Sequence, residues 1–364
     1  MGMQCEQVQE PSARAVPLIC RPDGIPYRAI HQGTTLLLQT AYGEENPSRW
    51  KLTRQLGQLQ LERMDFHTGM PDAVELLAAL EASFTHYPHQ AKLNLLAPIG
   101  QADELLRSCV LLKGGNDQLT VHAELFWQQS RVWLASPQPY AFPPFYIASD
   151  GRRHPLRPPK LVGTVYRRYI PWLDRTLSFR VVNIPHDLDR FSRWMNDRVV
   201  AAAWKEEGDL AKHRGYLEGI AADPHAIGLI GCFDDEAFGY FEIYWAKEDR
   251  VAPFYDADDF DRGWHVLIGE PHLRGKPFVT AWLPSISHYL FLDDCRTRRI
   301  VIEPRSDNHK MIRNLGKCGY ANLKEFDFPH KRAVLSMLLR ERFFADRLWV
   351  PRDAVAAPSS VPLF

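Results

Sequence analysis

The chain has 364 residues, 45% hydrophobic and 24% charged, with 44 Lys and Arg against 44 Asp and Glu. That is ordinary globular material, too long for one average domain and enough for two. Zero net charge and the lack of any like-charged run argue against a nucleic-acid stripe or a membrane-surface patch, while leaving room for a local basic site that takes a small anion.

No segment stays apolar for about 20 residues, so nothing reads as a membrane span. The opening Met-Gly-Met-Gln-Cys-Glu-Gln has no basic region followed by an apolar core, so it is not read as a secretion signal. Cysteines at 5, 20, 109, 232, 295 and 318 form no CxxC pair and no zinc-like spacing. They read as free thiols in a reducing compartment, and the expected location is the cytoplasm.

Residues 1–26 are polar and proline-bearing and are expected to be poorly ordered. From 27 to 135 the pattern is that of an accessory mixed α/β domain. Thr34–Tyr42 is strand-like, and Trp50–Phe66 reads as one or two strands. Pro71–Thr85 repeats apolar residues at helical spacing, at 74, 77, 80 and 84. Lys92–Ala97 reads as a buried strand, Ala102–Leu112 as a helix, and Leu119–Leu134 as two strands around a Gln-Gln-Ser turn. Residues 136–160 are dense in proline, which excludes helix and central strand, so the domain linker is expected there.

The second domain, 161–350, is more legible; 351–364 is a tail. Leu177–Val182 is a strand. Asp187–Asn196 is an amphipathic helix, and Val199–Ala222 holds one helix or two. His225–Phe233 and Ala237–Ala246 form a hairpin on Asp234-Asp235-Glu236. Trp264–Gly269 is a strand, Phe278–Leu292 a helix, and Arg299–Glu303 a strand that Pro304 stops. Asn308–Lys317 is a helix ending at Gly319, and Leu323–Phe328 with Arg332–Leu339 make a last hairpin. One stretch of this domain, 263–308, holds three chemical features in order: an imidazole on an apolar strand, a basic glycine turn opening a helix, and an acidic turn after a second apolar strand.

This order of elements resembles the GNAT acyltransferase fold, in which acyl-CoA enters where two neighbouring strands part. The resemblance narrows to siderophore acyltransferases of the aerobactin type. It rests on Trp194-Met195-Asn196-Asp197-Arg198-Val199 with Trp204, Gly239-Tyr240-Phe241-Glu242-Ile243-Tyr244-Trp245, Gly263-Trp264-His265-Val266-Leu267-Ile268-Gly269, Arg274-Gly275, Glu303-Pro304 with Asp307-Asn308, and Gly316-Lys317-Cys318-Gly319-Tyr320. These pieces cover about 180–340. The fold class expected is therefore α/β (α+β): a mixed, mostly antiparallel GNAT sheet with flanking helices, preceded by a second mixed α/β domain that a degenerate GNAT copy would satisfy. The strands expected to part are Trp264–Gly269 and Arg299–Glu303.

The resemblance implies roles that the residue chemistry permits. His265 would be the general base, since an imidazole titrates near neutral pH; without the resemblance it reads first as a core histidine bonded to a backbone carbonyl. Asp307 would orient it, or hold the acceptor, and Asn308 would touch substrate; Asp and Asn ahead of a helix are also ordinary caps. Leu273, Arg274, Gly275, Lys276 and Phe278 stand where the superfamily grips the CoA pyrophosphate with helix-start amides. Pro277 removes one of those donors. Glu242, Tyr244 and Trp204 would line the acceptor side, Glu242 being open to a substrate ammonium or to solvent. Leu315 falls where many relatives have a tyrosine that protonates the departing thiolate.

The expected activity is transfer of an acetyl or other acyl group from acyl-CoA, with no metal, to the hydroxylated side-chain nitrogen of N6-hydroxylysine, forming a siderophore hydroxamate. The expected partners are that small amine and other enzymes of siderophore synthesis, with no nucleic acid and no membrane span. Open alternatives keep the chemistry on N-hydroxyornithine, N-hydroxyputrescine or N-hydroxycadaverine, or use a succinyl or malonyl donor. More distant ones are an aminoglycoside-type N-acetyltransferase and a CoA-binding scaffold without turnover.

Overall fold

The structure, a computed structural model, describes residues 18–351 except 43–45, 56, 66–70, 97–101, 116–117, 139, 150 and 330. Most of the expected disordered N-terminus (1–17), nearly all of the expected tail (352–364) and Cys5 lie outside the described residues. The five described cysteines are unpaired thiols.

Two compact units divide at 132/133. The first holds β1 (Leu18–Cys20), β2 (Tyr27–Gln32), β3 (Thr35–Thr40), β4 (Ser48–Gln55), β5 (Gln58–Arg63), α1 (Ala73–His86), β6 (Lys92–Leu95), α2 (Ala102–Arg107), β7 (Leu112–Lys113), β8 (Leu119–His122), α3 (Ala123–Phe126) and the start of α4 (Ser130–Trp133). The second of the two strands expected in 119–134 is thus helical turn. Its short apolar run, Val-Trp-Leu, carries no periodicity that separates strand from helix.

The second unit begins ahead of the proline-rich stretch, and that stretch is not bare linker: β9 (Tyr146–Ser149) and β10 (Arg152–Pro155) pair in it as a hairpin. Then come β11 (Thr164–Ile170), β12 (Arg175–Val181), α5 (Ile184–Met195), α6 (Arg198–Trp204), α7 (Leu210–Ala222), β13 (Ala226–Phe233), β14 (Glu236–Trp245), β15 (Arg262–Ile268), α8 (Lys276–Asp293), β16 (Arg299–Ile302), α9 (His309–Lys317), β17 (Ala321–Phe328), β18 (Lys331–Leu339) and α10 (Arg340–Ala345). Asp234 and Asp235 take positive φ in the β13–β14 turn, as a tight hairpin requires.

The main sheet of the first unit runs β1-β2-β3-β4-β5-β6-β8-β7, and that of the second β11-β12-β13-β14-β15-β16-β18-β17. The orders are the same position for position. In each the fifth and sixth strands are parallel and joined by a long helix, α1 or α8, while the other pairs are antiparallel. The first unit is thus a second copy of the fold, altered in two places. A tight turn at Gly33 joins β2 to β3 where the second unit inserts α5, α6 and α7. Its parallel pair is also longer: Leu59, Gln60 and Leu61 match Leu93, Asn94 and Leu95, and the Leu96 N–H adds a bond to Leu61. In the second unit only Arg262 and Gly263 pair, with Ile300 and Val301.

Helix α1 is almost wholly buried, and its apolar face includes Leu76, Leu77, Leu80 and Phe84. It also buries Glu81. Burial holds this carboxyl up at about 8 despite hydrogen bonds from the Cys20 thiol and the Arg21 amide. Glu81 is therefore neutral in the folded protein at pH 7 and ionised in the unfolded chain. Its stabilising effect is complete below about pH 4.5 and is lost as pH rises through 8. Glu81→Gln keeps a neutral side chain at every pH. We expect it to raise stability at pH 8.5, by on the order of a few kcal/mol, and to change little at pH 4.5. Thermal melts, with amide exchange along α1, check this; equal pH dependence in both proteins would contradict it.

Candidate active site

Strands β15 and β16 pair at their first residues and then part. Continued in parallel register past Gly263 and Val301, the next same-face pair is His265 and Glu303, one residue beyond β16. Their side chains meet across the opening, with His265 Nε2 2.8 Å from Glu303 Oε1. On its other side His265 faces Glu242, its partner in the β14–β15 ladder, with Nδ1 3.3 Å from Glu242 Oε1. One imidazole thus sits between two carboxylates at the point where the sheet splits.

Tyrosines fix both carboxylates. Glu242 accepts from Tyr216 of α7 at 2.7 Å and from Tyr240 at 3.1 Å. Glu303 accepts from Tyr244 at 2.9 Å. Tyr244 reaches it because its ladder partner is Gly263: a Cβ there would lie 2.2 Å from the tyrosine ring. Trp204 of α6 sets its ring edge-on to the imidazole and donates from Nε1 to the Val266 carbonyl at 3.3 Å.

The charges follow from this packing. Burial alone would lower the His265 pKa, but the carboxylates of Glu303 and Glu242 push it up to about 10. Burial would raise Glu303 and Glu242, and the imidazolium holds both below the usual carboxylate range. At neutral pH the ligand-free site therefore carries a protonated ring between two ionised acids. Asp249, half-buried nearby, is raised instead, by its partial burial and by repulsion from Glu303.

The backbone of β15 also faces the opening. The Gly269 N–H bonds to Phe238 of β14, so alternation turns odd-numbered groups of the strand toward β14 and those of Trp264, Val266 and Ile268 toward β16. Past the last paired residues, the Val266 amide points into the gap.

At the far end of β15 stands the glycine turn. Gly275 caps α8 with φ +120, a conformation that favours glycine, and no Cβ screens the helix start. The amides of Gly275, Lys276 and Phe278 open the helix, and Pro277 has none to give. Lys276 is exposed there, Leu273 is buried, and Phe278 packs on Phe233. Arg274 serves the frame: its guanidinium donates to the Ile268 and Gly269 carbonyls and to Asp197, the cap of α6.

His265, Glu242, Tyr244 and Trp204 therefore come together, whereas Asp307 and Asn308 do not join them. Beyond Pro304 the chain pairs with β18, through Val334 N–H to Pro304 O and Ser306 N–H to Arg332 O, and this carries Asp307 to the surface. There it forms a two-point ion pair with Arg305, and its side chain is 66% exposed. Asn308 caps α9 by accepting from the Met311 amide. The carboxylate that meets the imidazole is Glu303, which the sequence offered as a strand end and a piece of the resembling motif but with no role in the site. Tyr216 and Tyr240 were missed as well. The alternation Tyr240, Glu242, Tyr244 on one strand face was the available signal.

His154, His225 and Glu248 lie close enough together to hold a metal ion. Both Glu248 oxygens, however, accept from the Arg157 guanidinium, at 2.7 and 2.8 Å, so that carboxylate already has a cation.

The chain is similar to several known proteins. The acetyltransferase (GNAT) domain family matches residues 183–328. An N(6)-hydroxylysine O-acetyltransferase of Escherichia coli is 44% identical over 227 residues, 62% of this chain and 72% of its own length. An N(5)-hydroxyornithine:cis-anhydromevalonyl coenzyme A-N(5)-transacylase of Beauveria bassiana is 45% identical over 195 residues, 52% of this chain and 43% of its own. Among solved structures, an uncharacterised Bacillus halodurans protein matches 52% of this chain and 96% of its own, at 29% identity and a TM-score of 0.49. The chain belongs to the siderophore acyltransferases of the GNAT superfamily. It is an acyl-CoA-dependent N-acyltransferase.

If two carboxylates hold the ring protonated, an NMR titration of the ligand-free protein will put the His265 midpoint well above neutrality. Glu303→Gln removes one of the charges and should bring it down by a unit or more. A wild-type midpoint near 6.5 would contradict the charge assignment.

Proposed function

We propose that this enzyme acetylates the hydroxylated side-chain nitrogen of N6-hydroxylysine, using acetyl-CoA, to form a hydroxamate for siderophore synthesis in the cytoplasm. The observation that carries the reading is the imidazole between two acids at the mouth of the β15–β16 gap. A thioester in that gap lies beside the Val266 amide, which can polarise its carbonyl. The helix start at Gly275–Phe278 suits the pyrophosphate, with Lys276 adding charge.

A hydroxylamine nitrogen is less basic than an alkyl amine, because the attached oxygen withdraws electron density. It is therefore largely neutral at pH 7 and ready to attack. As the C–N bond forms, the nitrogen must lose a proton. The ring cannot take it directly while both its nitrogens are protonated, so the unit Glu242–His265–Glu303 accepts it as a whole. Glu242, which keeps some exposure where Glu303 has none, is the entry point. When the C–S bond breaks, the imidazolium can return a proton to the thiolate, and the unit regains its starting charge. This supplies the acid that Leu315, an apolar residue with no exposure, cannot. The transfer is direct, with no acyl-enzyme.

A second reading is favoured by the 45% identity to the fungal hydroxyornithine transacylase: an acceptor one methylene shorter, with a bulkier acyl donor. Thiol release from acetyl-CoA, measured with N6-hydroxylysine, N5-hydroxyornithine and lysine, separates the readings. The expected result is fastest turnover on N6-hydroxylysine and none on lysine. His265→Ala should cut kcat by about 10²–10⁴-fold while calorimetric CoA affinity stays within a few-fold. Undiminished turnover in that variant would remove His265 from the chemistry.

A further inference from the structure

Besides His265, Glu303 has two neighbours of opposite charge, Lys331 and Arg250, that the reaction above leaves unused. Arg250 lies in the β14–β15 connection, with its Nη2 3.8 Å from Glu303 Oε1. Its guanidinium stands 5.7 Å from the Phe328 ring centroid, and half its side chain is exposed. The turn that carries it is fixed. The Arg152 guanidinium donates to the carbonyls of Glu248 and Asp249 at 3.0 and 2.9 Å, and the Asp249 carboxylate accepts from the Val251 amide at 2.9 Å. The arginine is thus presented on a braced backbone with its head group held only loosely.

Other cations near it differ. Lys331 is mostly buried; its ammonium lies 3.5 Å from Glu303 Oε1 and is tied down by donating to the Glu303 carbonyl at 2.7 Å. Arg299 is bound to Asp261, and Arg262 to Asp293. Position along β15 matters too. The connection holding Arg250 precedes the strand, whereas the Gly275 turn follows it, so the basic group and the anion cradle stand at opposite ends with His265 between them. Arg250 therefore faces the side from which an acceptor, rather than the CoA phosphates, approaches the ring.

We propose that Arg250 binds the α-carboxylate of the acceptor and so selects an N-hydroxylated amino acid over the matching diamine, an inference that rests on the acyl-transfer reading above. The reach is suitable. Five bonds separate the reacting nitrogen of hydroxylysine from its α-carbon, roughly 6 Å when extended, and Glu303 Oε1 bridges the two protein groups at 2.8 Å from His265 and 3.8 Å from Arg250. A guanidinium over an aromatic ring offers the planar fork that a carboxylate accepts at two points.

The test compares kcat/KM for N6-hydroxylysine and N-hydroxycadaverine, which share the reacting end and differ by the carboxylate. With acetyl-CoA, the wild-type enzyme should prefer the amino acid by tenfold or more, mainly through KM. Arg250→Gln should bring that ratio toward one, and Arg250→Lys should restore part of it. An equal loss on both acceptors would mean that Arg250 acts only through Glu303, and would overturn the proposal. So would an unselective wild type. Repeating the comparison with succinyl-CoA separates a carboxylate carried by the donor: a defect confined to that donor would also overturn it. If the wild type acylates neither acceptor, the N6-hydroxylysine reading on which this inference rests fails instead.

Discussion

The contact between His265 and Glu303 across the parting of β15 and β16 organises this site. Two parallel strands that begin in register would ordinarily continue in register, since each backbone N–H and C=O seeks a partner. Here pairing stops after two residues, and side chains take over where the backbone lets go. The opening exposes β15 amides to a ligand, and the ion pair holds the strands at a fixed separation without closing the gap. An ion pair in so dry a place is tolerable only because every member has further partners: tyrosines donate to both acids, and Lys331 supports the Glu303 backbone.

That arrangement also alters what the histidine is. A lone buried imidazole would be neutral and a ready base. Between two carboxylates it becomes a cation, and in the reaction proposed above the group that gains and gives protons is the three-residue unit. This agrees with the absence of a hydroxyl at Leu315. It also agrees with an acceptor whose nitrogen arrives unprotonated and needs only modest help.

Much of the second unit was legible beforehand, because its strands carry clean apolar runs and its helices clear periodicity. His265, Glu242 and Tyr244 could be placed from one strand's alternation and the hairpin before it. Asp307 could not. Spacing in sequence put it near the site, but the pairing of the chain with β18 after Pro304, a long-range event, carries it outward. Glu303 was hidden for the converse reason, since its role depends on the parallel register of strands separated by a whole helix. Arg274 reads as a phosphate ligand in isolation, and only the carbonyls at the end of β15 reveal it as a brace. In the first unit, a degenerate copy of the fold was expected only from the resemblance, and the strand order that makes it one could not be read because no motif survives in it. Asp72 caps α1 where Gly275 caps α8, and the matching strands stay paired for longer.

The central claim is that the parted strands form the acyl-CoA slot, with His265 at its throat. The most direct measurement is a crystal structure of the enzyme with CoA. The account predicts the pantetheine arm between β15 and β16 beyond Gly263 and Val301, with the sulfur beside His265 and the pyrophosphate on the amides at Gly275–Phe278. Coenzyme bound elsewhere, or β15 and β16 zipped together through Ile268, would contradict it.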